Sequence, residues 1–215
     1  MIDFLLHLIF PPKCIMCQNL LERGQTDLCP QCRNHLPEFK FAKKNISFIA
    51  GWTAVWYYEG NIRKSLVRFK FHGKRSYASA YGKYLAARLQ EDGMTDFDML
   101  TWIPISAKRR SKRGYDQVEL LVQAVGNELQ VKPVPTLYKH RHNPAQSTQK
   151  DAARRRANVL GAYRVLDPAA VAGKRILLLD DIITTGATAS ECARTLLVAG
   201  AKEVKFAAIA ATDHK

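Results

Sequence analysis

From Arg175 to Thr188 the chain reads Arg-Ile-Leu-Leu-Leu-Asp-Asp-Ile-Ile-Thr-Thr-Gly-Ala-Thr, and no other stretch limits the fold as much. Arg175–Asp180 is apolar enough for a strand buried on both faces, and Ala187–Ala199 reads as a helix closed by Gly200. A strand that feeds a helix through a short turn is half of a parallel crossover unit, so the sheet is expected to be parallel and flanked by helices. Ligands of such sheets bind at the carboxyl ends of the strands. Here that end carries Asp180 and Asp181, followed by Thr184, Thr185, Gly186, Ala187 and Thr188. Backbone N–H groups and the partial positive charge of a helix start hold a phosphate, threonine hydroxyls add donors, and Gly186 lets the backbone approach closely. The adjacent carboxylates are placed to accept hydrogen bonds from vicinal sugar hydroxyls, so the run points to a sugar phosphate. A helix cap alone needs one such residue rather than two acids and three threonines. Neither a Walker A loop nor a dinucleotide-binding glycine pattern is present.

The pattern elsewhere agrees. Trp52–Tyr58 and Met99–Ile105 read as strands, Asn61–Leu89 as a basic amphipathic stretch broken at Gly73, and Asp116–Leu129 as a helix. Thr136–Tyr138, Val159–Val165 and Val204–Ala210 are further strand candidates. Strands alternating with helices over 215 residues suit an α/β domain with a small appendage. The apolar run Met1–Phe10 is about half of the roughly 20 residues a membrane span needs and lacks signal-peptide flanks. The expectation is a cytoplasmic protein.

Cysteine spacing defines the appendage. Cys14, Cys17, Cys29 and Cys32 form C-x2-C, eleven residues, then C-x2-C, the arrangement of a tetrahedral thiolate zinc cage of ribbon or knuckle type. Two disulfides do not fit a chain without an export signal, and a redox pair does not account for the doubling. His35 is read as lying outside the ligand set, and Cys192 as a buried apolar residue. A 1–45 zinc module, ending in a polar connector, then precedes a 46–215 domain, because a unit this small needs metal to replace core.

Net charge is +14, and it is uneven. Residues 60–90 carry eight bases and no acid, 101–115 five and none, and 132–164 eight and one, while the chain from Asp167 onward is balanced. These segments are expected to form a positive surface for polyanions. In the first, Arg63, Lys64, Arg68, Lys70, Lys74 and Arg75 interleave with Phe69, Phe71 and Tyr77, the mixture of backbone cations and stacking rings that single-stranded nucleic acid uses. The same rings would equally serve as the buried face of a helix.

The run at 176–188 resembles the phosphoribosyl pyrophosphate (PRPP) motif of type I phosphoribosyltransferases. With the tetracysteine module, Pro104–Gln117 and the segment from Asn143-Pro-Ala-Gln-Ser147 to Arg154-Arg-Arg-Ala-Asn158, nearly the whole chain is similar to the ComF/GntX family of competence-associated proteins. The resemblance implies a parallel-sheet phosphoribosyltransferase-like core that binds PRPP with Mg²⁺ behind a structural zinc module. It places Asp180 and Asp181 on the ribose 2- and 3-hydroxyls, Thr184–Thr188 on the 5-phosphate, and Ser106, Lys108, Arg109 and Arg113 in the pyrophosphate loop. Residues 139–156, with Arg141, Lys150 and Arg154, occupy the place of a flexible loop; His140 and His142 within it are metal-ligand candidates or simply exposed. No nucleobase pocket or general base is legible.

Three functions stay open at this stage: ribosyl transfer to an unidentified acceptor, as in a nucleotide-salvage enzyme; PRPP sensing without turnover; and, as the resemblance implies, DNA uptake. The last brings contacts to single-stranded DNA and to an ATP-driven competence helicase (ComFA-like).

Overall fold

A computed structural model describes residues 11–40, 45–141 and 159–212. Its centre is a four-stranded parallel sheet in the order β1-β6-β5-β2, built from β1 (Gly51–Tyr57), β2 (Met99–Trp102), β5 (Arg175–Ile183) and β6 (Glu203–Ala211). The helices are α1 (Pro30–His35), α2 (Gly60–Phe71), α3 (Tyr77–Glu91), α4 (Ala107–Arg113), α5 (Gln117–Leu129), α6 (Pro168–Val171) and α7 (Ala187–Val198). An antiparallel ribbon of β3 (Leu137–Lys139) and β4 (Tyr163–Val165) stands apart from the main sheet.

Strand periodicity sorts the core into two layers. Leu177 and Leu179 pack with α3 and α5 through Leu85, Leu89, Val118 and Leu121. Ile176 and Leu178 pack on the opposite side with Ala189, Cys192, Ala193 and Leu196 of α7. Burial on both faces explains why Ile176–Leu179 of β5 is an unbroken apolar run. Asp116 starts α5 by accepting the Val118 and Glu119 N–H groups at 2.9 and 3.3 Å, the cap its side chain favours. Gly82 is where α3 meets α5: a Cβ there would lie 2.5 Å from Ala124 Cβ.

The first segment packs into this core. Cys14, Ile15, Met16, Leu28, Cys29 and Cys32 share one hydrophobic cluster with Val55, Trp56, Ile62, Leu66 and Tyr81, so metal cage, β1 and the helix pair α2 and α3 contribute to one core.

Several expectations shift. The ladder of β2 ends at Trp102: past the Ile103 N–H bond to the Leu179 carbonyl, the next donor on the β5 side, Ile105 N–H, is taken by Asp116. Of Val159–Val165 only β4 is strand, since Gly161 turns the chain at φ 64°. The loop after β2 is wound into α4, which Gly114 closes in the left-handed region. Most consequentially, β5 does not stop at the acid pair but runs on to Ile183. No helix among the described residues is long and apolar enough to cross a membrane; Met1–Phe10 lies outside them.

Candidate sugar-phosphate site and metal cage

At its carboxyl end β5 turns through Thr184 and Thr185 into α7, with Gly186 as N-cap at φ 78°. Gly186 is buried beneath Ile46, whose side-chain carbons would lie 3.2 Å from an added Cβ. A side chain there would be strained by φ and crowded at once. Thr185 Oγ1 accepts the Ala187 N–H at 3.4 Å, which orders the turn that opens the helix. Thr184, Thr185, Gly186, Ala187 and Thr188 are therefore gathered at one helix start, as their order in the chain suggested.

The two acids differ. Asp181 is only 3% exposed: Lys70 Nζ lies 2.8 Å from Oδ1 and Gln117 Nε2 donates to Oδ2 at 2.9 Å. Placed at the strand end to accept from sugar hydroxyls, Asp181 instead has both oxygens engaged within the protein, because α2 and α5 close over it. Asp180 is partly buried and accepts the Asp181 N–H at 2.7 Å. Burial, with the charge of Asp181 beside it, raises the Asp180 carboxyl well above the usual carboxylate range, and the charge of Lys70 only partly offsets this.

A basic wall faces the pair. Arg113 Nη1 donates to Gln117 Oε1 at 2.6 Å, and its guanidinium lies 4.7 Å from the Phe71 ring centroid. The polar chain thus runs Lys70, Asp181, Gln117, Arg113. Lys108 is exposed on α4, Arg109 is half-buried there, and Ser106 is buried at its start. Asp116 accepts the Ile105 N–H at 3.1 Å and so ties the end of the loop to α5. From the ribbon comes Lys139, 5.0 Å from the Tyr163 ring centroid, where burial and then the charge of Arg109 hold its amine below the usual lysine value. Lys139 had no motif to mark it, and Gln117 was legible only as part of a longer motif. Arg141 and His140 are exposed; His142, Lys150 and Arg154 lie outside the described residues.

The basic stretch 60–90 divides. Arg63, Lys64, Lys74 and Arg75 are exposed, as is Phe71, whereas Phe69 and Tyr77 are core. Arg75 stacks on Tyr115 at 4.7 Å and donates to the Gly114 carbonyl at 3.3 Å, which brings this stretch against the 101–115 segment. Arg68 and Lys70, expected on the polyanion face, are turned elsewhere: Arg68 donates to the Ile15 and Met16 carbonyls, and Lys70 pairs with Asp181.

The four cysteine sulfurs lie within 4.8 Å of one another, and Cys17 Sγ is 3.7 Å from Cys29 Sγ. A tetrahedral zinc with bonds of about 2.3 Å puts its sulfurs about 3.8 Å apart, so the cage fits that ion. Cys29 caps α1, accepting the Cys32 N–H at 3.5 Å, and the knuckle closes through Gln18 N–H to the Cys14 carbonyl at 3.0 Å. Crowding shows in the thiols: burial and the neighbouring sulfurs raise Cys32, whereas at Cys14 burial is outweighed by backbone donors from Cys17, Cys29 and Met16, which lower it to about 7. Among the described residues no other cluster of this kind occurs. His35 is exposed and bonds the Gln31 carbonyl, and Cys192 is fully buried.

Two protein-family models match separate parts of the chain. The phosphoribosyl transferase domain family matches residues 119–215 and the double zinc ribbon domain family residues 5–43. Competence protein ComFC of Streptococcus pneumoniae is 29% identical over 198 residues, 89% of this chain and 84% of its own. DNA utilization protein YhgH of Escherichia coli K12 is 26% identical over 201 residues, 89% and 87% of the respective chains. ComFC of Bacillus subtilis is 24% identical over 207 residues, covering 87% and 78%. Among solved structures, the allosteric regulatory enzyme of purine biosynthesis aligns with TM-score 0.44 at 20% identity over 65% of this chain. The chain spans 29% of that protein's length.

Proposed function

Because this chain belongs to the ComF/GntX family, in which a zinc ribbon precedes a phosphoribosyltransferase-type domain, we propose that it is a ComFC-like cytoplasmic protein of DNA uptake that binds PRPP with Mg²⁺. The observation that carries this is the joining of an acid pair to a glycine-capped helix start at the end of β5, opposite a basic helix. Asp180 takes the ribose hydroxyls, with Asp181 held behind it by Lys70 and Gln117, Thr184–Thr188 the 5-phosphate, and Ser106, Lys108, Arg109 and Arg113 the pyrophosphate, whose oxygens suit guanidinium donors. Arg141, Lys150 and Arg154 belong to the segment that would cover the ligand.

The carboxylate oxygens of the pair are the hard donors that Mg²⁺ accepts together with substrate phosphates. When bound, that ion would supply positive charge against the charge that builds on the departing pyrophosphate. The chemistry open to such a complex is displacement at C1. The bond to the pyrophosphate oxygen breaks, its electron pair leaves with pyrophosphate, and an acceptor nucleophile forms the new bond. Arg109 and Arg113 would stabilise the departing charge. Retention of PRPP as a sensed ligand needs the same contacts without the acceptor.

Single-stranded DNA is the proposed macromolecular ligand. Arg63, Lys64, Lys74 and Arg75 with the exposed Phe71, beside Lys108, Arg110 and Lys112 of α4, join two basic segments into one surface. A ComFA-like helicase is the protein partner this reading carries. The decisive experiment is calorimetric titration of the zinc-bound protein with PRPP and Mg²⁺, together with oligonucleotide binding across a salt series. Saturable PRPP binding lost in Asp180→Asn is expected, as is a DNA affinity falling with salt by about 0.7 in log–log slope per phosphate neutralised. Absence of PRPP binding refutes the site, and salt-independent DNA binding refutes the surface.

A further inference from the structure

Helix α2 touches both sites, with residues two positions apart. Ser65 Oγ donates to the Ile15 carbonyl at 2.5 Å and is bonded to Tyr81 Oη at 2.7 Å. Arg68 Nη2 reaches the Ile15 carbonyl at 2.9 Å and the Met16 carbonyl at 2.6 Å. Ile15 and Met16 are the two residues enclosed by Cys14 and Cys17, so these carbonyls point outward from the metal knuckle itself. Two positions on is about 200° around a helix, and Lys70 accordingly faces the other way, 2.8 Å from Asp181. The grip on the knuckle is built at a cost, since Arg68 Nε is buried without a partner among the described residues.

We propose that α2 couples the two sites, so that metal loading of the cysteine cage sets the affinity of the acid-pair site for its sugar phosphate. Lys70 is the residue through which the link acts, and Arg68 and Ser65 are its positioning residues. The inference rests on the reading of Asp180 and Asp181 as the PRPP site. With metal bound, the Cys14–Cys17 turn holds two carbonyls in fixed directions. When the metal leaves, the turn is released, the Arg68 charge loses its acceptors inside the protein, and the last turn of α2 shifts to recover them. Lys70 is carried off Asp181, whose carboxylate then stands uncompensated next to Asp180 as an anionic ligand approaches. The separation of cage and pair does not weaken the link, because one rigid helix spans it.

Linkage must be reciprocal, which supplies the test. Zinc release to a zinc-selective chelator is timed on the purified full chain with and without saturating PRPP and Mg²⁺, and PRPP affinity is measured on zinc-loaded wild type, Arg68→Met, Arg68→Lys and Ser65→Ala. The expected result is that PRPP slows zinc loss by about fivefold or more, the lower end for coupled sites. Arg68→Met should retain zinc, bind PRPP more weakly by a comparable factor and lose the protection; Arg68→Lys should recover part of both. Lys70→Met at saturating PRPP should also lose the protection, which general stabilisation by a ligand would preserve. If Arg68→Met does not fold, wild type and Ser65→Ala decide. Normal PRPP binding in wild type with zinc loss unaffected by PRPP, or Arg68→Met behaving as wild type, overturns the link alone. No PRPP binding to zinc-loaded wild type overturns the site and the link together.

Discussion

Replacing each acid of the pair by its amide should give opposite results in a melting experiment. Asp181 is 4% exposed at its side chain and Lys70 18%, with 2.8 Å between charges. Breaking a fully buried pair from one side costs about 3–5 kcal/mol, because the remaining charge is left uncompensated. Here the cost is reduced on two grounds. Lys70 keeps enough exposure to turn its ammonium towards water, and an amide at 181 still offers an oxygen to the Gln117 donor, now 2.9 Å from Oδ2. A loss of about 2–3 kcal/mol follows for Asp181→Asn, and at about 2–4 °C per kcal/mol in a chain of this size the melting temperature should fall by roughly 4–12 °C. Asp180→Asn should leave it unchanged or raise it, since burial already disfavours the ionised Asp180 carboxyl. The assay is differential scanning calorimetry of both variants, zinc-loaded and without ligand, with Lys70→Met/Asp181→Asn as the control in which the melting temperature recovers. Equal melting temperatures for the two single variants would refute the division of the pair into one carboxylate that the fold depends on and one that it does not.

Zinc analysis should find about one ion per chain, and X-ray absorption an all-sulfur shell at about 2.3 Å; because Cys32, Ile15 and Met16 share a core with Trp56 and Leu66, Cys32→Ser should lower the main unfolding transition, and an unchanged transition would contradict that shared core. With pH the sign is set by the raised Asp180: folded protein holds this proton longer than unfolded chain, so its contribution favours folding at low pH and declines as pH climbs from the ordinary carboxylate range through the raised value. Asp180→Asn should accordingly gain stability relative to wild type over that window in urea titrations, and a difference flat in pH would contradict it. Gly82→Ala should cost about 1–3 kcal/mol by overpacking α3 against α5, where the added carbon meets Ala124 at 2.5 Å; a melting temperature equal to wild type would show that the helices separate freely.

The sequence by itself determined whatever depends on near neighbours in the chain. The apolar run of β5, the turn Thr184–Gly186 and the start of α7 are one continuous segment, so their chemistry and geometry were legible together. The cysteine cage was legible because each pair of sulfurs is set by a two-residue spacing. What only the tertiary structure decided is which helix face meets which neighbour. Lys70, Arg68, Phe69 and Phe71 follow one another in a basic amphipathic stretch that suits a nucleic-acid surface and a packed helix equally well. Docking α2 between the knuckle and the acid pair sent Phe69 to the core, Phe71 to solvent beneath Arg113, Arg68 to the Ile15 and Met16 carbonyls and Lys70 to Asp181. Helical periodicity states which residues share a side of the cylinder, not what that side will touch. The burial of Asp181 is non-local in the same way: its partners lie at positions 70 and 117, and only the closing of two separate helices over the end of β5 makes one carboxylate of an adjacent pair part of the framework while the other is held by neither helix's side chains.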